Sequence, residues 1–351
     1  MTGLKTDIVK PGLKALYYSG VHRLLAPISQ GIGLIFMLHR VSSVHPRDFA
    51  PNSGLMVTPE FLDAVLRDVR EAGLDIVSLD EAHERMLSGN TKNRFACFTL
   101  DDGYRDNLEH AYPAFKHHGA PFTVYIPSDF ADGKGELWWA ALETIIASRE
   151  SLEFSWLPGA SPIPTRNASE RIEAFQRIYR YLRDQDEDDQ RRIIARLCEA
   201  YGVDMGAICR NLVMTWDEVR ELASDPLVTI GAHTVAHYAL AKLPEARARE
   251  EMKLGADRIA EKVGCWPYHL SYPYGDPQSA GPREFRIAEE LGFKTAVTTR
   301  KGVLFPEHAD HLTALPRVSL NGEYQSSLFT RLYLTGAPFA LWNGFRRVDA
   351  A

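Results

Sequence analysis

The run Phe95-Ala96-Cys97-Phe98-Thr99-Leu100-Asp101-Asp102-Gly103-Tyr104 constrains this chain more than any other stretch. Six apolar or β-tolerant residues lead into two adjacent carboxylates and a glycine, the pattern of a buried strand that ends at a polar site. In α/β folds such strands deliver acid groups to the carboxyl edge of a sheet or barrel, where the chemistry is placed. Side chains alternate along a strand, so Asp101 and Asp102 share a direction only if the chain turns after Leu100, and Gly103 permits that turn. Two carboxylates this close repel, which raises one pKa or calls for a cation between them. Taken alone, Asp-Asp-Gly equally fits a hairpin turn with solvated carboxylates. What separates the two readings lies far downstream.

The rest of the chain must supply a core around that strand. At 351 residues, 45% hydrophobic and 25% charged, it is long enough for one large α/β domain or two small ones. The net charge of -6 is spread along the sequence, which argues against a nucleic-acid surface. Cys97, Cys198, Cys209 and Cys265 form no CxxC pair and no disulfide framework, as expected in a reducing compartment. Lys5, Lys10 and Lys14 are followed by no apolar run of signal-peptide length, and no stretch approaches the roughly 20 apolar residues of a membrane span. The expectation is therefore a cytoplasmic location. Residues 13–25 read as a short basic amphipathic helix, which either packs on its own domain or rests on a membrane surface as a peripheral contact.

Taken in order, residues 1–32 form an N-terminal helical segment. Gly33 to Val41 is a second apolar strand, and it carries His39 at its end. Thr58-Pro59-Glu60 opens a helix ended by Gly73, with an N-cap followed by proline at the first helical position. Ile76 to Leu79 is a short strand and Asp80 to Leu87 a short helix. A helix over 107–118 and the strand Phe122 to Pro127 follow the aspartates. This βαβ alternation predicts parallel strands with crossover helices. It breaks at Gly133, where helices near 137–148, 169–183 and 186–201 predict an insertion over 133–214, with a Pro-rich link at 158–164. Within it, the Arg and Asp residues of 183–192 read as a solvated face, and Trp138 and Trp139 as core residues that could alternatively line a groove.

Regular order returns with the helix start Thr215-Trp216-Asp217-Glu218 and the strand Leu227 to Ala232. A helix (244–263), a strand (266–272), a helix (282–291), a strand (294–299) and a last strand near Ala314 to Val318 complete the count. The fold class this predicts is α/β: a distorted or incomplete (β/α) barrel of about seven parallel strands, formed by 33–132 and 215–325, with the helical insertion between and a C-terminal extension over 326–351.

His233 and His237 stand four apart immediately after a strand, where one helical turn would set both imidazoles on the same side. Two histidines and one carboxylate make a three-ligand divalent metal site with an open position, the pattern of catalytic zinc. Such a pair also arises by chance on helices. Here it ends one strand while Asp-Asp-Gly ends another, so a parallel fold brings both to one edge. With Asp102 on the metal, Asp101 is left as general base for a water whose pKa the metal lowers towards about 7. Backbone N–H groups near Pro273-Tyr274-Gly275, at another strand end, are candidates to hold the oxyanion. His39 is the candidate acid for the leaving group, and Tyr104 joins the substrate side.

These residues resemble the polysaccharide deacetylase family, the NodB-homology or family 4 carbohydrate esterases. In that family T-F-D-D-G supplies the base and a metal aspartate, and H-[ST]-x-x-H supplies two histidines. Thr99-Leu100-Asp101-Asp102-Gly103 and His233-Thr234-Val235-Ala236-His237 match these in order, with Thr234 a candidate supporting residue. The match of both is far more specific than either alone, and it spans about 33–130 and 215–320, leaving the helical insertion outside. Tyr272-Pro273-Tyr274-Gly275 resembles the end of the R-x-P-Y motif, whose tyrosine backbone serves the oxyanion. Two departures stand out. Ser271 replaces the motif's arginine, which normally braces the catalytic aspartate, and Arg317 or Arg105 is the candidate substitute. The C-terminal leucine-x-histidine motif is absent, Leu315-Pro316-Arg317 standing about where it is expected. Met37-Leu38-His39 resembles the permuted arrangement of the poly-N-acetylglucosamine-deacetylase-like branch, which favours His39 over His308 and His311.

The resemblance implies metal-dependent removal of an N-acetyl group from an amino sugar in a polysaccharide or its precursor, an acetylated oligomer or polymer being the partner. Zinc is the default for two His and one Asp, and cobalt, nickel or iron also suit such donors. One competing reading keeps the site and changes the substrate to an O-acetyl ester or a small cyclic amide. Another is a non-catalytic, glycan-binding member, against which Asp101 argues because a binding module needs no base.

Overall fold

The structure, a computed structural model, describes residues 4–43, 48–90, 92–155 and 162–350. Residues 158–161 of the Pro-rich link lie outside these. Seven parallel strands form a closed ring: β1 (Gly33–Leu38), β2 (Phe95–Leu100), β3 (Phe122–Ile126), β4 (Val228–Ala232), β5 (His269–Ser271), β6 (Thr295–Lys301) and β7 (Leu315–Ser319). They follow one another around the barrel in chain order, and β1 pairs with both β7 and β2. The barrel is therefore complete, and of the two forms the sequence left open the incomplete one is excluded. Asp75–Ile76 is no barrel strand; it pairs beside the start of β2, and Leu79 already belongs to the next helix.

Continuous burial along β1, β2 and β3 accounts for their unbroken apolar sequences, since helices cover the outside and side chains fill the inside. Along β2 the alternation is clean: Ala96, Phe98 and Leu100 pack outward against the helices, while Phe95 and Cys97 join Ile35, Tyr125, Val297 and Leu315 in an inner cluster. Thr99 and Asp101 continue that inward series. At Gly231 of β4 a Cβ would strike the Tyr125 ring, so a glycine there makes room for the tyrosine inside the barrel.

The helix Pro59–Glu71 is capped as the sequence predicts, Thr58 Oγ1 accepting from Phe61 N–H at 3.1 Å. Thr215 and Glu218 form a reciprocal capping box before Trp216–Ala223. Residues 107–118 differ from the uniform helix expected: a wide turn over Asn107–Ala111 precedes Tyr112–His117. The N-terminal stretch is two helices, Leu4–Tyr18 and Val21–Ser29, broken at Gly20, whose φ of 74° ends the first. No helix is long and apolar enough to cross a membrane among the described residues.

The helices Trp138–Ala147, Ala168–Asp184 and Glu187–Tyr201 are joined by a further one, Met205–Leu212, and build a second core from Trp138, Leu142, Phe175, Ile194 and their neighbours. Tyr104, two residues after Asp102, belongs to this second core and bridges to Val213. The two cores therefore meet at the carboxyl edge of the barrel, where β2 ends.

Candidate active site

Four strand ends converge at that edge. Asp102 follows β2, His233 and His237 follow β4, Tyr274 follows β5, and His39 follows β1. The backbone makes the convergence by unusual means. Of five non-glycine residues with positive φ among the described residues, four are here: Asp102 (73°), Thr234 (68°), His237 (60°) and Tyr274 (61°). Such conformations are disfavoured for L-residues and persist only where surrounding structure enforces them. Asp101 continues the inward series of β2, and the left-handed turn at Asp102 and Gly103 redirects the second carboxylate.

Asp102 Oδ1 lies 3.5 Å from His233 Nε2 and 3.3 Å from His237 Nε2, with all three residues buried. His233 Nδ1 donates to the Ser271 carbonyl at 2.6 Å, which fixes its tautomer and leaves Nε2 as an acceptor facing Asp102. Burial pushes His237 down to about 4, against the pull of Asp102, so its imidazole is neutral at physiological pH. Burial alone would raise the Asp102 carboxyl; the two facing imidazoles outweigh it and hold it well below the usual carboxylate range. Yet Asp102 Oδ1 has no hydrogen-bond partner. A buried carboxylate oxygen left unpaired between two ring nitrogens is costly without a cation, and one carboxylate with two imidazoles is a donor set that suits a divalent metal.

The histidine loop is not the helical turn expected from their spacing. Thr234 Oγ1 accepts from His237 N–H at 3.1 Å, closing a turn that helical geometry would not need. Glu251, on the helix Glu245–Val263, accepts from Val235 N–H at 3.1 Å and Ala236 N–H at 3.0 Å. Gly255 on the same helix lets it approach, since a Cβ there would stand 2.6 Å from the Thr234 carbonyl. The side chain of Arg191 donates to the Ala236 carbonyl at 2.9 Å from the other side.

Asp101 is gripped by Arg317. Nη1 donates to Oδ1 at 2.8 Å and Nη2 to Oδ2 at 2.6 Å, while Nε donates to the Thr298 carbonyl at 2.9 Å and Nη2 also reaches Ser271 Oγ at 3.0 Å. Burial would raise the Asp101 carboxyl, but the guanidinium more than offsets it and holds it below its ordinary value. Both partners are buried inside the barrel. Of the two arginines the sequence offered, Arg317 stands at the aspartate; Arg105 instead pairs with Glu218 at 2.8 Å.

His39 stands at the same edge, where the preceding Leu38 carbonyl accepts from Asp101 N–H at 3.0 Å, and Asn107 Nδ2 donates to the His39 carbonyl at 2.8 Å. Next to it Arg40 pairs with buried Asp106 at 2.8 Å and covers the Tyr104 ring. His308 is elsewhere: its Nδ1 accepts from Phe305 N–H at 3.0 Å, on a segment whose Leu304 pairs with Gly33 at the opposite end of β1. His311 is exposed.

Tyr274 is held on every side. Its carbonyl accepts from Thr299 Oγ1 at 2.6 Å, its hydroxyl accepts from Trp138 Nε1 at 2.9 Å, its ring lies 4.8 Å from that of His237, and Arg183 stacks on it at 3.6 Å. The Gly275 N–H donates to the Pro273 carbonyl at 2.7 Å. Tyr104 Oη accepts from Trp139 Nε1 at 3.2 Å.

The reading of 183–192 as a solvated face is therefore corrected. Asp186 and Asp188 are exposed, but Glu187 and Arg191 are buried and Arg183 covers Tyr274. The signal for Arg191 was present: it shares a helical stripe with Ile194 and Cys198, an apolar face on which a charge needs a reason. Trp138 and Trp139 are core residues whose indole N–H groups reach the two site tyrosines. Beside the triad, a cleft of about 710 Å³ is lined by Arg40, Asn52, Tyr104, Trp139, Glu143 and Arg171 among others. The insertion thus forms one wall of the site.

Residues 173–296 match the family described as polysaccharide deacetylase. The match takes in both histidines and Tyr274, stops short of Asp101 and Asp102, and begins inside the helical segment that the sequence reading placed outside the resemblance. No curated protein matches. Among solved structures, a Streptococcus pyogenes deacetylase, PplD, in complex with acetate is 18% identical with a TM-score of 0.56, covering 86% of this chain and 96% of its own. A de-N-acetylase from Aggregatibacter actinomycetemcomitans is 14% identical with a TM-score of 0.54 and coverages of 86% and 99%. IcaB from Ammonifex degensii is 17% identical with a TM-score of 0.53 and coverages of 87% and 97%. At these identities the likeness establishes the barrel.

Proposed function

We propose that this chain, which matches the polysaccharide deacetylase family over residues 173–296 and shares the barrel of solved deacetylases, removes N-acetyl groups from an amino-sugar oligomer or polymer by divalent-metal-assisted hydrolysis. The observation that carries this reading is the pairing of an orphaned, buried Asp102 flanked by two imidazoles with a separate, arginine-held Asp101. Asp102, His233 and His237 would hold the metal, with zinc the first choice. A metal so held acts as a Lewis acid and acidifies water.

The protein's own groups account for the remaining steps. Asp101, kept ionised by Arg317, accepts the proton of the attacking water. Tyr274 N–H, oriented by the left-handed backbone and by the Thr299 bond to its carbonyl, donates to the developing oxyanion. His39 gives a proton to the leaving amine. The cleft lined by Arg40, Asn52, Glu143 and Arg171 receives neighbouring sugars, whose hydroxyls suit these polar and charged side chains.

Acetate release from N-acetylglucosamine oligomers, compared with an O-acetylated sugar, tests the substrate class: preferential release from the amide supports the reading, and release from the ester alone overturns it. The acid is tested through leaving-group dependence. His39→Ala is expected to lower kcat on the amide by about 10²–10⁴-fold, the usual contribution of general acid catalysis, and to spare 4-nitrophenyl acetate, whose leaving group needs no proton. Equal losses on both substrates would remove His39 from that role.

A further inference from the structure

Seven of the ten large apolar side chains that stand exposed among the described residues lie on 18–28 and 341–345. On the helix Val21–Ser29 the outward stripe carries Leu24, 81% exposed, and Ile28, 58% exposed, while His22 and Ser29 are buried on the other side. The helix Ala337–Trp342 packs beside it, locked by Ser29 Oγ donating to the Thr335 carbonyl at 2.7 Å, and adds Trp342, 60% exposed, with Phe345, 51% exposed, just beyond. A groove of about 300 Å³ joins Ile28 to Phe345 and Arg346. These exposed side chains gather on two neighbouring helices and the segment just beyond, which is more than scattered exposed residues would give.

The segments that carry these side chains run against the acidic charge of the rest of the chain. Residues 1–30 and 336–351 carry six Lys or Arg against two Asp or Glu, whereas the other 305 residues carry 34 against 44. Lys301 Nζ stands 4.0 Å from the centre of the Trp342 ring, placing a cation beside the aromatic. Apolar side chains and a tryptophan edged by Lys and Arg are what an anionic lipid interface binds, the apolar groups entering the headgroup boundary and the cations meeting the lipid charge. A second copy is a poorer occupant, because a two-fold contact through this patch would bring the same cations face to face.

We propose that this surface docks the protein on anionic membranes. The helix Val21–Ser29 leads into the start of β1, whereas His39 follows its end, so the docking surface and the catalytic edge lie at opposite ends of the barrel. The docked enzyme keeps its cleft open to solution.

Sedimentation of the full chain with phosphatidylcholine vesicles, with and without phosphatidylglycerol, tests this. Binding is expected to be at least tenfold tighter to the anionic vesicles and to weaken with salt. The exposed double variant Leu24→Ser/Trp342→Ser should lose at least tenfold of that binding with unchanged circular dichroism. Arg23→Gln/Arg346→Gln should lose the preference for anionic lipid. Equal sedimentation with both vesicles, or variants that bind like the parent, would overturn the proposal. So would a dimer in solution that Leu24→Ser/Trp342→Ser dissolves, in protein that no vesicle captures.

Discussion

Arg317→Gln should weaken the protein and shift its pH profile together. The wild-type pair is buried and bidentate, and removing one partner of such a pair typically costs about 3–5 kcal/mol because the other charge is left uncompensated. The catalytic effect follows from the same loss. Burial acts to raise the Asp101 pKa, and the guanidinium overrides it. Without the guanidinium the burial effect prevails, the carboxyl binds its proton to higher pH, and less base is available near neutrality. The acid limb of kcat/KM should therefore move to higher pH, with activity partly restored in alkaline buffer. A role confined to stability would lower activity without moving that limb. The linkage has a definite sign: because the folded pKa is depressed, this pair stabilises the protein above the unfolded pKa of about 3.9 and ceases to do so as pH falls through the folded value.

Asp101→Asn should reduce acetate release by about 10²–10⁴-fold, the range expected for loss of a general base, while metal still binds to Asp102, His233 and His237. The substitution also strands the Arg317 charge inside the barrel. The double variant Asp101→Asn/Arg317→Gln should then be more stable than Asp101→Asn alone, a non-additivity that thermal unfolding would register. If Asp101→Asn retained near-normal turnover, the base would have to be sought elsewhere.

The aspartates and histidines were legible in the sequence because each pair closes an apolar strand, and in a parallel barrel strand ends share an edge. The exchange at Ser271 and Arg317 was legible only as a gap and two candidates. Arg317 lies 216 residues from Asp101, and only the closure of β1 onto β7 brings the two inward-facing positions together. Where the arginine of the R-x-P-Y motif would stand on β5, Ser271 here supplies a hydroxyl to Arg317 and a carbonyl to His233.

The supports of the histidine loop were hidden for a different reason. Glu251 and Gly255 lie on one helix and Arg191 on another, and although the apolar stripe around Arg191 marks that charge as unusual, which group each residue meets depends on how the helices dock. The four-residue spacing of His233 and His237 suggested a helix because only the spacing was visible. The left-handed residues Thr234 and His237 give the same proximity by another route. The insertion was read as separate from the chemistry for the same cause: the side of a helix that meets a neighbour is set by tertiary packing.

Metal content and turnover measured on one preparation test the central claim most directly. Purified protein would be chelated, reconstituted with zinc, cobalt, nickel or iron, and assayed for acetate release from N-acetylglucosamine oligomers, with His233→Ala alongside. One equivalent of metal, activity lost on chelation and restored on its return, and neither bound metal nor activity in His233→Ala are the expected results. Acetate release that persists in fully chelated protein, or a chain that binds no metal at all, would contradict the account.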